Sequence, residues 1–323
     1  MDKARLTTST PVWLILLATV CLGLRTIVWA IESSQRGEVT GIKWNEPSKI
    51  DLVGRDYQSK LILYYFTSEG LESCKTMNNT SLLNKDIVKL VNEEFLPVKI
   101  ENKQSEENTD TGKLKKELQQ KFVVFTFPTL VVSLPSGKEI ETRNAYAGVS
   151  AKPLLRFLEH CQRREGYSRG LDYLAHAKYA EAARSFESWL STAGDGTKDT
   201  IDGALYCALS YDMLGDNNKV RVILDKTLQN KRYSKDRKWT EPLAELLLGK
   251  LDGEGLIKEC DRQGYREPRV YYFIGMLELK HGNVAGAIEN LRLTEKGTYT
   301  SSEIYGLADG QINVINQVNV GKN

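Results

Sequence analysis

The chain is short of the residues from which most reaction centres are built. Its 323 residues hold five cysteines and three histidines. His160, His176 and His281 lie far apart and in no metal-ligand spacing with the cysteines, which argues against a zinc or haem centre. There is no phosphate-cradling GxxxxGK[ST] run and no GxSxG elbow to raise a nucleophilic serine. Net charge is scarce too. The 44 Lys plus Arg and 42 Asp plus Glu leave +2, too little for a field that gathers nucleic acid. No metal, cofactor or nucleic-acid partner is therefore expected. What remains is an ordinary globular composition, 41% hydrophobic and 27% charged, over a length that suits two domains.

The N-terminus stands apart from the rest. Lys3 and Arg5 precede an uncharged apolar run from Val12 to Leu24, and Arg25 is followed by a second short apolar stretch to Ile31. This is the pattern of an export signal. Val28-Trp29-Ala30 places small residues where a signal peptidase cuts, whereas Val12 to Ile31 is long enough to cross about 30 Å of hydrocarbon. Residues 1–31 thus read as a signal peptide or a transmembrane anchor, and 32–41 as a linker. The large Val20 just before Cys21 argues against a lipoprotein site. Positive charge ahead of the apolar run places the remainder outside the cytosol, in a periplasmic, lumenal or extracellular space, with the membrane met through the N-terminal segment.

Residues 42–160 read as an α/β domain. Ile42-Lys43-Trp44 suggests a short strand, and Leu61 to Phe66 is a continuous β-prone apolar run of the kind covered on both faces. A helix is expected from Ser73 to Glu94, a strand over Phe95 to Ile100, a polar loop over 101–111 and a helix over Leu114 to Lys121. Pro128 stands just ahead of Leu130 to Leu134, and Pro135-Ser136-Gly137 turns the chain into Ile140 to Tyr146, an antiparallel return strand. Ser150 is placed to cap a last helix carrying Leu154, Leu155, Phe157 and Leu158.

This order of elements, with Cys74-Lys75-Thr76-Met77 opening a helix after a buried strand and Phe127-Pro128-Thr129-Leu130 before a hairpin, resembles the thioredoxin superfamily. The resemblance implies that Glu69 to Lys75 is the active-site loop, where the usual pattern is Trp-Cys-x-x-Cys-Lys. Here Gly70 stands for the Trp and Leu71 for the attacking cysteine, and only Cys74, the resolving position, remains. It also implies that Pro128 is a cis proline facing the loop, and that Tyr65 stands where family enzymes often carry a buried acid. Disulfide exchange needs a thiolate at the helix N-terminus, which Leu71 cannot supply. What the resemblance leaves is either a peptide groove, with Phe127 and Pro128 on one side and Gly70, Leu71 and Glu72 on the other, or a decayed loop that binds nothing.

From residue 161 to 323 the chain is helical and repetitive. His176-Ala177-Lys178-Tyr179 through Phe186 resembles the tetratricopeptide pattern, and Ala204 to Gly215 with Val220 to Leu224 repeats it at an offset of 38. A third pair runs through Leu243 to Leu251 and Leu256 to Cys260, a fourth through Tyr271 to Asn283 and Ala287 to Leu291, and Ile304 to Ile315 suits a capping helix. Such pairs must stack to bury their faces. Tyr206, Tyr211, Tyr271 and Tyr272 read as core or as groove lining, and the basic run Lys231 to Lys238 as a solvated turn or a contact for an acidic partner. Cys161, Cys207 and Cys260 read as core thiols, with a bridge open in an oxidising space. Asn78 and Asn79 head formal glycosylation sequons.

The fold class expected is a thioredoxin-like α/β domain followed by an all-α tetratricopeptide-like solenoid, preceded by a signal or transmembrane segment. Two functions stay open. One is an exported, membrane-anchored, non-enzymatic adaptor that binds protein or peptide clients. The other is a monothiol oxidoreductase acting through Cys74.

Overall fold

The computed structural model describes residues 41–49, 51, 54, 60–145, 150–193, 198–229, 237–262, 268–295 and 302–320. The N-terminal segment 1–31, linker residues 32–40, Tyr146, most of the basic run (231–236) and the Cys260 side chain lie outside the described residues. Among those described, no helix is long and apolar enough to cross a membrane.

The α/β part is a four-stranded sheet in the order β2-β1-β3-β4, from β1 (Leu61–Ser68), β2 (Phe95–Asn102), β3 (Thr129–Ser133) and β4 (Glu139–Asn144). β1 pairs parallel with β2 and antiparallel with β3, and β3 pairs antiparallel with β4. The unbroken apolar run of β1 has a direct cause. Leu61, Leu63 and Tyr65 face one hydrophobic cluster, Ile62, Tyr64 and Phe66 the other, so neither face meets water. The first cluster is closed by α1 (Glu72–Asn79), α2 (Lys85–Glu94) and α4 (Ala151–Ala175), the second by α3 (Asp110–Lys121).

Three details differ from the sequence expectation. The single helix over 73–94 is broken into α1, a 3-10 turn at Ser81–Leu83 and α2. Asn84 starts the second piece by accepting from the Asp86 and Ile87 amides, a local capping option that competes with helix continuation. The expected strand at 42–44 is a single parallel bridge, Asn45 to Val98, followed at once by Pro47. Ser150 does occupy the N-cap of α4, but its side chain makes no capping bond.

Helix α4 runs unbroken for 25 residues, straight through the 160/161 boundary placed from sequence. Beyond it come α5 (Tyr179–Thr192), α6 (Lys198–Met213), α7 (Asn217–Gln229), α8 (Arg237–Leu247), α9 (Gly253–Arg262), α10 (Pro268–Lys280), α11 (Val284–Glu295) and α12 (Ser302–Val320). The four helix pairs share one turn. In α4/α5, α6/α7, α8/α9 and α10/α11 the amides of Lys178, Asp216, Lys250 and Asn283 bond back to the carbonyls of Tyr173, Tyr211, Glu245 and Glu278, the six-to-one bond of a Schellman motif. The residue before each is left-handed: Ala177 at φ 54°, Gly215 at 77°, Gly249 at 67° and Gly282 at 81°.

The array closes on itself. Tyr206 stacks between Phe186 and Phe273, each ring centroid 6.0 Å away, and Tyr272 is fully buried, so both are core. The last helix, α12, returns to the first: Gln311 donates to the Leu174 carbonyl, Tyr179 Oη donates to Gln311 Oε1 at 3.2 Å, and a Cβ on Gly310 would meet the Ala175 carbonyl at 2.6 Å. The two parts also touch through charge. Lys138, at the tip of the β3–β4 hairpin, has its pKa lowered by burial while Asp172 of α4 and Glu303 of α12 oppose that shift. Glu303 accepts from Tyr167 Oη and lies 3.9 Å from Arg164.

Ala177 is the only one of the four left-handed turn residues that is not glycine. An L side chain there costs about 1–2 kcal/mol, partly offset by the freedom glycine gains in the unfolded chain. Ala177→Gly is therefore expected to stabilise the protein by about 0.5–1 kcal/mol, read as a higher denaturant midpoint at unchanged m value.

Candidate functional site

The loop after β1 is built by a turn, an exposed apolar residue and a helix start. The Glu69 amide bonds to the Asn102 carbonyl at 3.1 Å, and Gly70 then turns the chain at φ 84° with open space around it. Leu71 is the N-cap of α1, in extended conformation, and its side chain offers no capping bond. The first-turn amides of α1 thus lack the acceptor a Ser or Asp would give. Leu71 is 42% exposed. Glu72 and Lys75 face solvent 3.8 Å apart, a pair too exposed to contribute much.

Cys74 sits one turn in and is 2% exposed, with Met77 buried beside it in the helix. Below it Tyr65 is fully buried and stacks against Trp44 at 5.4 Å. Burial pushes the Tyr65 phenol up to about 12; the Thr67 hydroxyl offsets a little of this, and Cys74 and Glu101 add to it. No contact to the Tyr65 hydroxyl meets hydrogen-bond geometry. A buried acid able to shuttle a proton is thus replaced by a phenol that stays neutral at any ordinary pH.

Facing the loop, the Phe127–Pro128 peptide bond is cis. The turn around it is pinned: the Pro128 carbonyl accepts from Ala145 at 2.9 Å, and Thr129 Oγ1 donates to the Thr126 carbonyl at 2.7 Å and lies 3.0 Å from Asn144 Oδ1. Ser73 Oγ reaches the Phe127 carbonyl at 3.5 Å, a long contact that ties α1 to this turn. The structure therefore brings Leu71, Cys74, Phe127 and Pro128 to one end of the sheet, with Cys74 beneath the surface.

Sequence reasoning missed three residues here. Phe125, two positions before Phe127, is 84% exposed, an unusual placement for a large ring. Val123, 64% exposed, lies at φ 51°, where a β-branched side chain is strained. Ser73 makes the link just described. An FxF alternation before the proline was the readable signal for Phe125; nothing in the sequence announces the backbone angle of Val123.

Thiol chemistry finds little foothold. Cys74, Cys161 and Cys207 are free and buried, and burial drives the Cys161 and Cys207 thiols up to about 12. No group of His, Cys, Asp or Glu among the described residues is arranged to hold a metal ion.

Two stability measurements follow. Tyr65→Phe removes a buried hydroxyl that meets hydrogen-bond geometry with no partner among the described residues, so it is expected to stabilise by about 1 kcal/mol at pH 7. An acid whose folded pKa is raised keeps its proton after the unfolded chain has lost it. Stability is then full below pH 10 and falls as pH climbs toward 12, at up to about 1.4 kcal/mol per unit from this one group. Tyr65→Phe should make that part of the profile shallower by this one contribution, leaving the share of the other tyrosines that burial also raises, Tyr167, Tyr179, Tyr206, Tyr211 and Tyr272, and the decline that begins above pH 9 from Cys161 and Cys207. Val123→Gly should relieve the strained angle and raise stability by about 1 kcal/mol, since little buried surface is lost.

Residues 55–162 match the family model of a thioredoxin-like domain. No curated protein matches the chain significantly. Among solved structures, the chain is similar to a thioredoxin from Thermus thermophilus in solution, with 21% identity over 33% of this chain and 77% of that one, at a TM-score of 0.28. It is also similar to a protein described as DsbH oxidoreductase, with 14% identity over 50% of this chain and 95% of that one, at a TM-score of 0.33. Residues 55–162 are thus a thioredoxin-like domain, followed by an all-helical region of many helices that is compatible with a tetratricopeptide-like solenoid.

Proposed function

We propose that the protein is an exported, membrane-anchored, non-enzymatic adaptor that holds unfolded or extended protein segments at the cis-proline end of its thioredoxin-like domain. The observation that carries this reading is the pairing of an exposed Leu71 at the helix start with a Cys74 buried to 2%. Chemistry that needs an exposed, activated thiolate has no atom to use there, while apolar Leu71 and Phe125 offer surface to a reversible ligand. The segment 1–31 supplies export and anchoring in this reading. The helical array serves as a rigid second surface for the same client or its partner. The alternative, a monothiol oxidoreductase working through Cys74, asks a nearly inaccessible sulfur to attack.

The test uses the full chain and a permanently unfolded client, reduced and carboxymethylated α-lactalbumin. Wild type and Cys74→Ser should bind it equally, and Leu71→Asp or Phe125→Ser should weaken binding about tenfold, about 1.4 kcal/mol. In parallel, iodoacetamide should label Cys74 in the native protein at least about a hundredfold more slowly than in denaturant, because labelling waits on opening. Rapid labelling below pH 7, or insulin reduction that disappears in Cys74→Ser, would replace the adaptor with a redox protein.

A further inference from the structure

Away from the thioredoxin-like site, a half-enclosed cavity of about 730 Å³ opens where three of the four repeat turns meet. Its volume falls in the range of small-ligand sites, and it is shaped by the end of α6 and start of α7, by the α8–α9 turn, and by the last turns of α10. One wall is apolar: Leu247 and Ile274 are buried, and Leu251 and Leu277 are half-buried.

The charged groups around it are balanced in number yet unequally engaged. Three acids, Asp212, Asp252 and Glu278, stand with three permanent cations, Arg221, Lys250 and Lys280. Lys280 Nζ lies 2.6 Å from Asp212 Oδ1, and that leaves Asp212 Oδ2 buried with no hydrogen-bond partner among the described residues. Glu278 accepts from Asn283 Nδ2 at 2.6 Å and Asp252 from the Gly255 amide at 2.7 Å, so both keep their negative charge uncompensated by any cation among the described residues. Arg221 and Lys250 line the cavity at exposed positions on its rim. The cavity therefore offers cation-accepting and anion-accepting groups side by side, against an apolar wall.

We propose that this cavity binds a small zwitterion with an apolar body, an apolar amino acid or short peptide whose ammonium meets the carboxylates and whose carboxylate meets Arg221 and Lys250. A ligand with one head charge would leave the opposite set unmatched, and a ligand without an apolar part would leave the leucine wall wet. Balanced charge favours net neutrality, and both signs recur around the three turns, so each end of a doubly charged molecule finds a partner of opposite sign. The site is independent of the cis-proline surface and of its proposed clients.

The test is calorimetric titration of the full chain with phenylalanine and with the dipeptide Leu-Phe, together with Leu-Phe carrying an acetylated N-terminus, an amidated C-terminus, or both. Stoichiometric binding of either free form, weakened about tenfold or more by each block, is the expected result, because each block removes a charge-assisted hydrogen bond. Which of the two binds tells amino acid from peptide. Arg221→Glu and Lys250→Glu, both at exposed positions that leave folding intact, should each weaken the free form about tenfold, and Lys116→Glu on the other domain should leave it unchanged. Absence of binding at millimolar ligand, equal binding of the doubly blocked dipeptide, or affinities indifferent to both cavity substitutions would overturn the proposal.

Discussion

The structure depends on one helix that belongs to two cores. Helix α4 is about 37 Å long at 1.5 Å per residue. Its first half buries Leu154, Phe157, Leu158 and Cys161 under the sheet, and its second half buries Tyr167, Leu171, Leu174 and Ala175 among the helices. The helix stays continuous across the crossing, where Gly166 and Gly170 let Trp189 and Phe186 of α5 pack closely against it. The same helix sets directions. It carries the array past the β3–β4 hairpin, where the charges of Asp172 and Glu303 favour the protonated form of Lys138 against its burial.

Within that frame one end of the sheet gathers the turn at Gly70, the helix start at Leu71, the buried Cys74 and the cis proline, and in the adaptor reading proposed above Leu71 stands where an ionisable thiol would be needed for exchange. The substitutions are coupled physically. A thiolate at the N-cap benefits from the helix dipole, and a leucine there does not, so α1 begins with amides that no side chain caps. A carboxylic acid in the strand would need a proton route, and Tyr65 needs none because burial keeps it neutral. Tyr65 and Cys74 then become ordinary core residues under an apolar loop.

Local signals in the sequence were legible, and long-range ones were not. β1 was readable because coverage on both faces forces a continuous apolar run, and the repeat turns were readable because their left-handed residue is glycine in three of four cases. The break at Thr80 to Asn84 was hidden by apolar residues that fit helix periodicity on both sides of it. The continuity of α4 was hidden because its two halves bury residues in different clusters, Leu154 to Cys161 under the sheet and Tyr167 onward among the helices. The return of α12 onto α4 depends on Gln311, Gly310 and Glu303 meeting residues well over a hundred positions away. In the site, Leu71, Cys74 and Pro128 could be placed by motif. The exposure of Phe125 had a readable signal in the Phe125-Thr126-Phe127 alternation, whereas the backbone angle of Val123 is a property of the folded loop alone.

Those two properties bear on whether the loop is a relic or a working surface. A loop free of any demand would be expected to shed avoidable costs, since a glycine at 123 or a polar residue at 125 is a single substitution away and most such changes on an exposed loop disturb nothing else. Instead the strained Val123 and the exposed Phe125 sit together, immediately before a turn held rigid by Thr129, Asn144 and Ala145. Strain held in place by well-determined surroundings is the usual condition of a binding or switching segment. An exposed ring on a rigid support is also the form in which apolar contact area is presented with the least ordering on association. In the adaptor reading proposed above, the strained Val123 and the exposed Phe125 are the features of this loop that a reversible apolar ligand would use.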